Sequence, residues 1–251
     1  MTLVPAGLRL GPSEVHVWRV RLQLRRAEID RLESLLTRDE RERAARYRFR
    51  ADADRFVAAR TALRAILAQY LGRRPADLRF SCGPQGKPAL REDTWLRFNV
   101  AHSGGLGLIA VSQERELGID IEIITGTGFE VEIAERFFSA TEVATLSRLP
   151  SGERTAAFFR CWTRKEAYIK ARGQGLSLQL DSFDVSFAPG EPARLLATRP
   201  DPRDVERWTI LDFAAAEGYA VALAVEGGAC AVRCFAAPEP FSRAAEEKED
   251  P

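Results

Sequence analysis

Apolar residues recur at helical spacing through an early stretch of this chain, from about Ala27 to Leu71. Thr37, with Glu40 three residues later, has the spacing of a capping box, and Gly72 is placed to end the last helical turn. Shorter apolar runs follow, and they predict strands at 78–81, 95–100 and 106–112. The first part of the chain is therefore predicted to be helical and then to form a small sheet.

The second half of the chain repeats this order. The pattern predicts one strand and three helices, at 118–123, at 131–136, after a cap at Thr141, and at 155–172. Gly173 is placed to end the last helix. The segment 183–192, a short strand followed by a glycine–proline turn, then has the same pattern as 77–88. This repeat predicts an α/β protein built from two similar halves.

Composition divides the chain into three parts. We expect a basic N-terminal half at 1–113, a C-terminal half at 114–236 and an acidic, disordered tail at 237–251. With 251 residues, 45% of them hydrophobic, the chain can bury a full core. It has no apolar run long enough to span a membrane and no signal-peptide pattern at its start. We therefore expect a cytoplasmic protein that does not bind membranes.

The net charge of +1 is unevenly distributed. Residues 1–110 carry 21 basic and 12 acidic side chains, whereas the rest carry 16 basic and 24 acidic ones. The first half should attract anions, although helix faces of opposite sign would give the same count. The four cysteines lack paired spacing and the two histidines add little, so neither a zinc site nor a disulfide framework is expected. A bound metal would use oxygen ligands, as magnesium and manganese do.

The segment 118–122, GIDIE, places two acids on one face of a predicted strand. Alternation sends the isoleucines to one face and the carboxylates of Asp120 and Glu122 to the other, with their Cα atoms about 6.5 to 7 Å apart. The pair can share one cation. The alternative is an edge strand whose polar face is solvated.

The helix that follows carries a third acid. Thr163, Glu166 and Lys170 share one face, so Glu166 can point away from the core. A surface pair of Glu166 with Lys170 is the alternative. The chain has 33 arginines and only four lysines, two of them in this helix, and that scarcity favours a selected role. An ammonium suits a phosphoryl oxygen, whereas a guanidinium prefers planar bidentate contacts.

Two further segments could contact an anion. The segment 98–105 runs from a strand into a glycine turn, with His102 at the corner, and Lys87 lies in a proline-stiffened turn. A structural role for His102 is the alternative. Six arginines crowd 38–50 and could grip nucleic acid or an acidic protein, but the interleaved acids favour pairing along a solvated helix.

Five segments in order resemble the 4′-phosphopantetheinyl transferases, of the longer, pseudo-twofold type that activates peptide, polyketide and fatty acid synthases. They are 86–88 (GKP), 98–103 (FNVAHS), 118–122 (GIDIE), 136–142 (RFFSATE) and 162–170 (WTRKEAYIK). The resemblance covers about residues 40–235. It implies two similar halves, each a small, mainly antiparallel sheet packed with a long helix, and transfer of phosphopantetheine from coenzyme A to a serine of an apo carrier protein.

The same resemblance implies roles for individual residues. Asp120, Glu122 and Glu166 would hold Mg²⁺ on the pyrophosphate of coenzyme A, and Lys170 would offset charge at the transferred phosphorus. Glu166 or Glu142 would take the proton from the carrier serine. The coenzyme A contacts would come from Lys87, His102, Ser103, Lys165, Arg43, Arg55 and Arg60.

The chain departs from the family pattern at Ala101, where a serine is common, so one hydroxyl contact is missing. Carrier proteins are usually acidic around the modified serine, and the basic first half would attract them. We expect a monomer, with no nucleic acid partner, because both halves lie in one chain. The alternatives are a magnesium-dependent phosphohydrolase or nucleotidyl transferase, and an arginine-rich binding module without catalysis.

Overall fold

A computed structural model describes residues 8–83, 85–92, 95–126, 128–238 and 240–241. Most of the tail predicted at 237–251 lies outside these residues. The first half contains one strand, three helices and four strands: β1 Glu14–Arg21, α1 Arg26–Glu33, α2 Arg38–Ala45, α3 Arg50–Leu71, β2 Phe80–Cys82, β3 Pro88–Leu90, β4 Leu96–Ser103 and β5 Leu106–Gln113.

The second half begins with the same succession of elements. They are β6 Leu117–Ile123, α4 Glu130–Phe137, α5 Ala140–Arg148, α6 Ser151–Arg172, β7 Phe183–Val185, β8 Leu195–Thr198, the short α7 Asp204–Arg207, β9 Trp208–Asp212, β10 Tyr219–Glu226 and β11 Ala231–Ala236. Each half starts with a strand and three helices, followed by four strands in the first half and, apart from α7, by five in the second, and the longest helix has 22 residues in both. The prediction of an α/β protein with two similar halves is confirmed.

Two larger sheets and two hairpins form the β structure. The first sheet has the strand order β11-β1-β5-β4, the second has the order β6-β10-β9, and β2 with β3 and β7 with β8 form the hairpins. All of these pairs are antiparallel except β1 with β11. The last strand of the second half is thus built into the sheet of the first.

Several predicted boundaries change. The single helical stretch predicted from Ala27 to Leu71 is three helices, because the chain is not helical at 34–37 and 46–49. The capping box of Thr37 and Glu40 is confirmed. The cap predicted at Thr141 is wrong. Ser139 caps α5 instead, since its backbone N–H donates to Glu142 at 3.0 Å and its hydroxyl accepts from the Glu142 N–H.

The two long helices carry the cores of their halves. Helix α3 buries residues such as Leu63 and Leu67 against the first sheet, and α6 buries Phe158 and Tyr168 with the second. Both helices end in a left-handed glycine, at Gly72 and Gly173, as predicted. In the part of the chain that the structure describes, no helix is both long enough and apolar enough to cross a membrane.

Strand β6 is fixed between α6 and β4. A Cβ atom at Gly118 would lie 2.1 Å from the carbonyl oxygen of Ala167, so only glycine allows the strand to approach the helix this closely. On its other side, the N–H of Ile119 donates to the Asn99 side chain at 2.9 Å, and the N–H of Ile123 donates to the Ser103 hydroxyl at 3.1 Å. The outer edge of the second sheet is thus attached to the first.

Candidate active site

Asp120 is the most deeply buried acid of the predicted cluster, with 4% of its surface exposed. The ammonium of Lys170, in the last turn of α6, lies 2.6 Å from its Oδ1. Its Oδ2 is buried and has no hydrogen-bond partner among the described residues. Burial raises the pKa of this carboxyl to about 7; Lys170 opposes the shift, and Glu122 and Glu166 add to it.

Glu122 and Glu166 face the same point from two elements. The Ser103 hydroxyl donates to Glu122 at 2.9 Å, which holds that carboxylate beside the strand. Glu166 is half-buried on α6, and burial raises its pKa, with Lys170 opposing the shift and Glu122 adding to it. Each of these acids therefore feels the charge of another. The alternative of a solvated strand face does not hold for Asp120, although β6 is indeed an edge strand of its own sheet.

The cluster suits a small cation of high charge density. Within the described residues, no three side chains already have the spacing of a closed metal site. The unpaired Oδ2 of Asp120 and the mutual repulsion of three carboxylates are nevertheless what an added cation would relieve. An all-oxygen set of this kind favours magnesium or manganese.

Two cavities of about 350 and 340 Å³ lie side by side and share the wall formed by Gly86, Pro88 and Val100. The first is also lined by Glu166, Lys170 and Asn99. The second is lined by predicted anion contacts, namely Arg43, Arg55, Arg60 and His102. Together the two cavities form a cleft, with the carboxylate of Glu166 and the ammonium of Lys170 at one end and cations at the other.

The cationic end keeps a surplus of positive charge. Arg60 and Arg64 share the single carboxylate of Glu40, so the three side chains carry a net positive charge. Burial would raise the pKa of Glu40, but the hydrogen bond from Arg64 and the charge of Arg60 lower it to about 2. Arg55 pairs with Asp52 on its own helix. Such an end can bind a phosphate group.

His102 and Arg43 are the exposed members of this end. Desolvation by the cleft walls lowers the pKa of the His102 imidazole, and the charges of Lys170 and Arg55 lower it further. A neutral imidazole offers a hydrogen bond rather than a full charge. The guanidinium of Arg43 lies over the ring of Phe56, 5.3 Å from its centroid.

The structure does not place Lys165 or Glu142 in the cleft. Lys165 has no exposed side-chain surface, and its ammonium lies 2.7 Å from Glu142 and donates to the carbonyls of Leu180 and Phe183. Glu142 also accepts from the N–H of Val185 at 2.9 Å. The expectations that Lys165 contacts coenzyme A and that Glu142 acts as a base do not fit these contacts, because neither side chain can reach the cleft without breaking a buried ion pair.

Two other expected contacts are turned toward protein groups. Lys87 lines the first cavity, but its ammonium donates to Glu116 at 3.0 Å and to two backbone carbonyls. Ser103 is engaged by Glu122 and the backbone of Ile123. Thr163, expected beside Glu166 on the polar face, is buried and donates back to the carbonyl of Phe159.

Glu116 and Asn99 are functional candidates that sequence reasoning did not assign. Asn99 lies inside the segment 98–105, and an amide beside a strand in a polar stretch is a signal that could have been followed. Nothing in the sequence around Glu116 distinguishes it from other surface acids, because its partner Lys87 is 29 residues away.

Two family models match the chain in succession. The model of the 4′-phosphopantetheinyl transferase superfamily matches residues 116–224, and that of the 4′-phosphopantetheinyl transferase N-terminal region matches residues 23–114. The 4′-phosphopantetheinyl transferase HetI of Nostoc sp. is 37% identical over 226 residues, which cover 89% of this chain and 92% of that protein.

The chain belongs to the 4′-phosphopantetheinyl transferase superfamily. The transferase Sfp of Bacillus subtilis is another relative, 35% identical over 162 residues that cover 64% of this chain and 71% of Sfp. Among solved structures, the holo-[acyl-carrier-protein] synthase of Thermotoga maritima gives a TM-score of 0.35 at 21% identity over 45% of this chain and 62% of that one. The sequence resemblance is thus confirmed, and this chain is an enzyme of the phosphopantetheinyl-transferring class.

Proposed function

We propose that this transferase moves 4′-phosphopantetheine from coenzyme A to a serine of an apo carrier protein and releases adenosine 3′,5′-bisphosphate. The serine oxygen forms a bond to the phosphorus next to pantetheine, and the bond from that phosphorus to the bridging pyrophosphate oxygen breaks. The single observation that carries the proposal is buried Asp120, with one oxygen on Lys170 and one unpaired, at the acidic end of a cleft whose other end is basic.

Asp120, Glu122 and Glu166 would hold Mg²⁺, and the unpaired oxygen of Asp120 supports this assignment. When bound, the cation would neutralise charge on the pyrophosphate oxygens. Ser103 has a supporting part, because its hydrogen bond fixes one oxygen of Glu122. We therefore assign Ser103 to orienting a ligand rather than to contacting coenzyme A.

Glu166 is our choice of general base. It lines the cleft and its pKa is raised, mainly by burial, and a carboxylate with a raised pKa holds a proton more readily near neutral pH. It would accept the proton of the carrier serine, directly or through a water molecule. Lys170 would place its ammonium against the oxygens around phosphorus, where negative charge increases during transfer.

The basic end of the cleft would bind the adenosine side of coenzyme A. Arg55, Arg60 and His102 line it together, and Arg43 lies at its rim, so these groups can meet the 3′-phosphate. The excess of basic side chains in the first half supports attraction of an acidic carrier. Since both ends of the cleft come from one chain, we propose that a monomer is active, with the halves meeting at about residue 113.

Incubation with coenzyme A, Mg²⁺ and an apo carrier tests the proposal. Intact-mass spectrometry should detect one added phosphopantetheinyl group on the carrier and an equal amount of adenosine 3′,5′-bisphosphate. A carrier with alanine at the modified serine is the control and should gain no mass. Release of the bisphosphate at the same rate without a carrier would instead identify a phosphohydrolase.

A further inference from the structure

The ammonium of Lys87 has all of its donors directed at protein acceptors. It lies 3.0 Å from Oε2 of Glu116, 3.2 Å from the carbonyl of Leu117 and 3.3 Å from the carbonyl of Ala171. An ammonium has three N–H donors, so this set uses every one of them. Ala171 lies in the last turn of α6, where the carbonyl ends of the helix favour a cation.

These acceptors belong to the elements that carry the acidic end of the cleft. Glu116 immediately precedes β6, on which Asp120 and Glu122 lie, and Ala171 follows Lys170. At Gly118 the backbone of β6 packs directly against the backbone of α6. The Lys87 ammonium therefore joins the β2–β3 turn of the first half to the catalytic elements of the second.

The turn that Lys87 anchors is the shared wall of the cleft. Gly86 and Pro88 line both cavities, one beside Glu166 and the other beside His102. Backbone hydrogen bonds from Gly83 to the Lys87 carbonyl and from Gly86 to the Gly83 carbonyl, each 2.9 Å, hold the turn together. A shift of Lys87 would thus shift Gly86 and Pro88, which form the shared wall of the cleft.

We propose that Lys87 is a positioning residue, a strut whose contact with Glu116 and the two carbonyls fixes the distance between the cleft wall and the carboxylate cluster. It is not a phosphate ligand. The inference rests on the proposed function, because it assigns coenzyme A to this cleft. Glu116 acts only through Lys87, since it lines neither of the two cavities of the cleft.

The experiment compares Lys87→Met, Glu116→Gln and the double variant by calorimetric titration of coenzyme A. Each single variant should weaken binding by about 3- to 10-fold, and the double variant should be no weaker than the weaker single one, because both break the same contact. KM for coenzyme A should rise in parallel, with kcat changing less.

Arg97→Gln is the matched control. Arg97 lies 3.2 Å from the other oxygen of Glu116, so its loss removes an ion pair of that carboxylate and spares the strut. Its coenzyme A affinity should stay within about twofold of wild type.

If Lys87 binds phosphate instead, Glu116→Gln releases the ammonium and leaves coenzyme A binding unchanged or tighter, while Lys87→Met alone weakens it. That pattern would contradict the positioning role of Lys87. Binding without transfer in the wild type would reject the proposed function but still permit this comparison. If the wild type does not bind coenzyme A, thermal unfolding decides: a double variant no less stable than the worse single supports the strut, and additive losses overturn it.

Discussion

Lys165 and Glu142 lie 2.7 Å apart inside the protein, with no side-chain surface exposed on the lysine and 2% on the glutamate. The first half has the same contact between Arg64 and Glu40, 2.8 Å apart and each 3% exposed. Each glutamate closes a capping box, and each cation lies on the long helix and donates to carbonyls in the segment after it. The two halves therefore share one buried ion pair at equivalent positions.

Breaking this pair should destabilise the second half. Lys165→Met leaves the carboxylate of Glu142 buried without its cation, which typically costs about 3 to 5 kcal/mol. A protein of this size loses roughly 2 to 4 °C in the unfolding midpoint for each kcal/mol. Thermal unfolding of Lys165→Met checks the loss. The double variant with Glu142→Gln should recover part of it, and an unchanged midpoint in the single variant would reject the structural role.

Asp120→Asn should abolish transfer while raising the stability of the metal-free protein. The folded state raises the pKa of Asp120 from 3.8 to about 7, so the folded chain binds the extra proton and Asp120 lowers stability progressively as the pH rises through this window. The midpoint advantage of the variant should therefore grow from about pH 4 to pH 7. Unfolding in EDTA across this range measures it, and the carrier assay measures transfer.

Magnesium should make the wild type more stable than Asp120→Asn, the reverse of the order expected in EDTA. If Asp120 is a ligand, Mg²⁺ should raise the unfolding midpoint of the wild type and leave that of Asp120→Asn nearly unchanged, because a ligand that binds only the folded state stabilises it. Equal stabilisation of both proteins would place the cation elsewhere. Calcium serves as a comparison, since it prefers a larger coordination shell.

Lys170→Arg should reduce kcat by at least about tenfold although it keeps the charge. The ammonium lies 2.6 Å from Asp120 Oδ1, and a planar guanidinium cannot present the same compact charge there. Steady-state kinetics at saturating coenzyme A provide the measurement. Arg207→Lys, at an exposed ion pair with Glu226, is the control and should behave as wild type. Full activity of Lys170→Arg would mean that only the charge matters.

Arg55→Gln should raise KM for coenzyme A by at least about 10-fold but leave KM for dephospho-coenzyme A nearly unchanged, since a lost charge-assisted contact to phosphate typically costs about 1.5 to 3 kcal/mol. The ratio of the two constants isolates the 3′-phosphate. Arg50→Gln is the control on the same helix, where the side chain is exposed and pairs with Asp54. Equal effects on both substrates would assign Arg55 to another part of the ligand.

Local patterns predicted much of this molecule. The capping box at Thr37, the glycine after each long helix and the alternation in β6 each depend on residues only a few positions apart, and all three are present. Strand β1 was not predicted although its residues alternate, and its pairing with β11 joins positions more than 200 residues apart. No local pattern encodes such a contact.

The scarcity of lysine indicated which lysines make specific contacts, but it could not indicate what they contact. Lys87, Lys165 and Lys170 each contact a protein carboxylate, and of these three it is Lys170 whose partner, Asp120, belongs to the predicted acid cluster. Backbone carbonyls and carboxylates suit an ammonium as well as phosphate oxygens do. Only the fold determines which of these acceptors is near.

The parallel pairing of β11 with β1 has a consequence for synthesis on the ribosome. Strand β1 is translated more than 200 residues before β11, its neighbour on one side. Until β11 has been made, the first sheet has an open edge of unpaired backbone groups, which can pair with other nascent chains. Deletion of residues 231–236, which form β11, should therefore yield aggregated protein even though every residue of the cleft is still present.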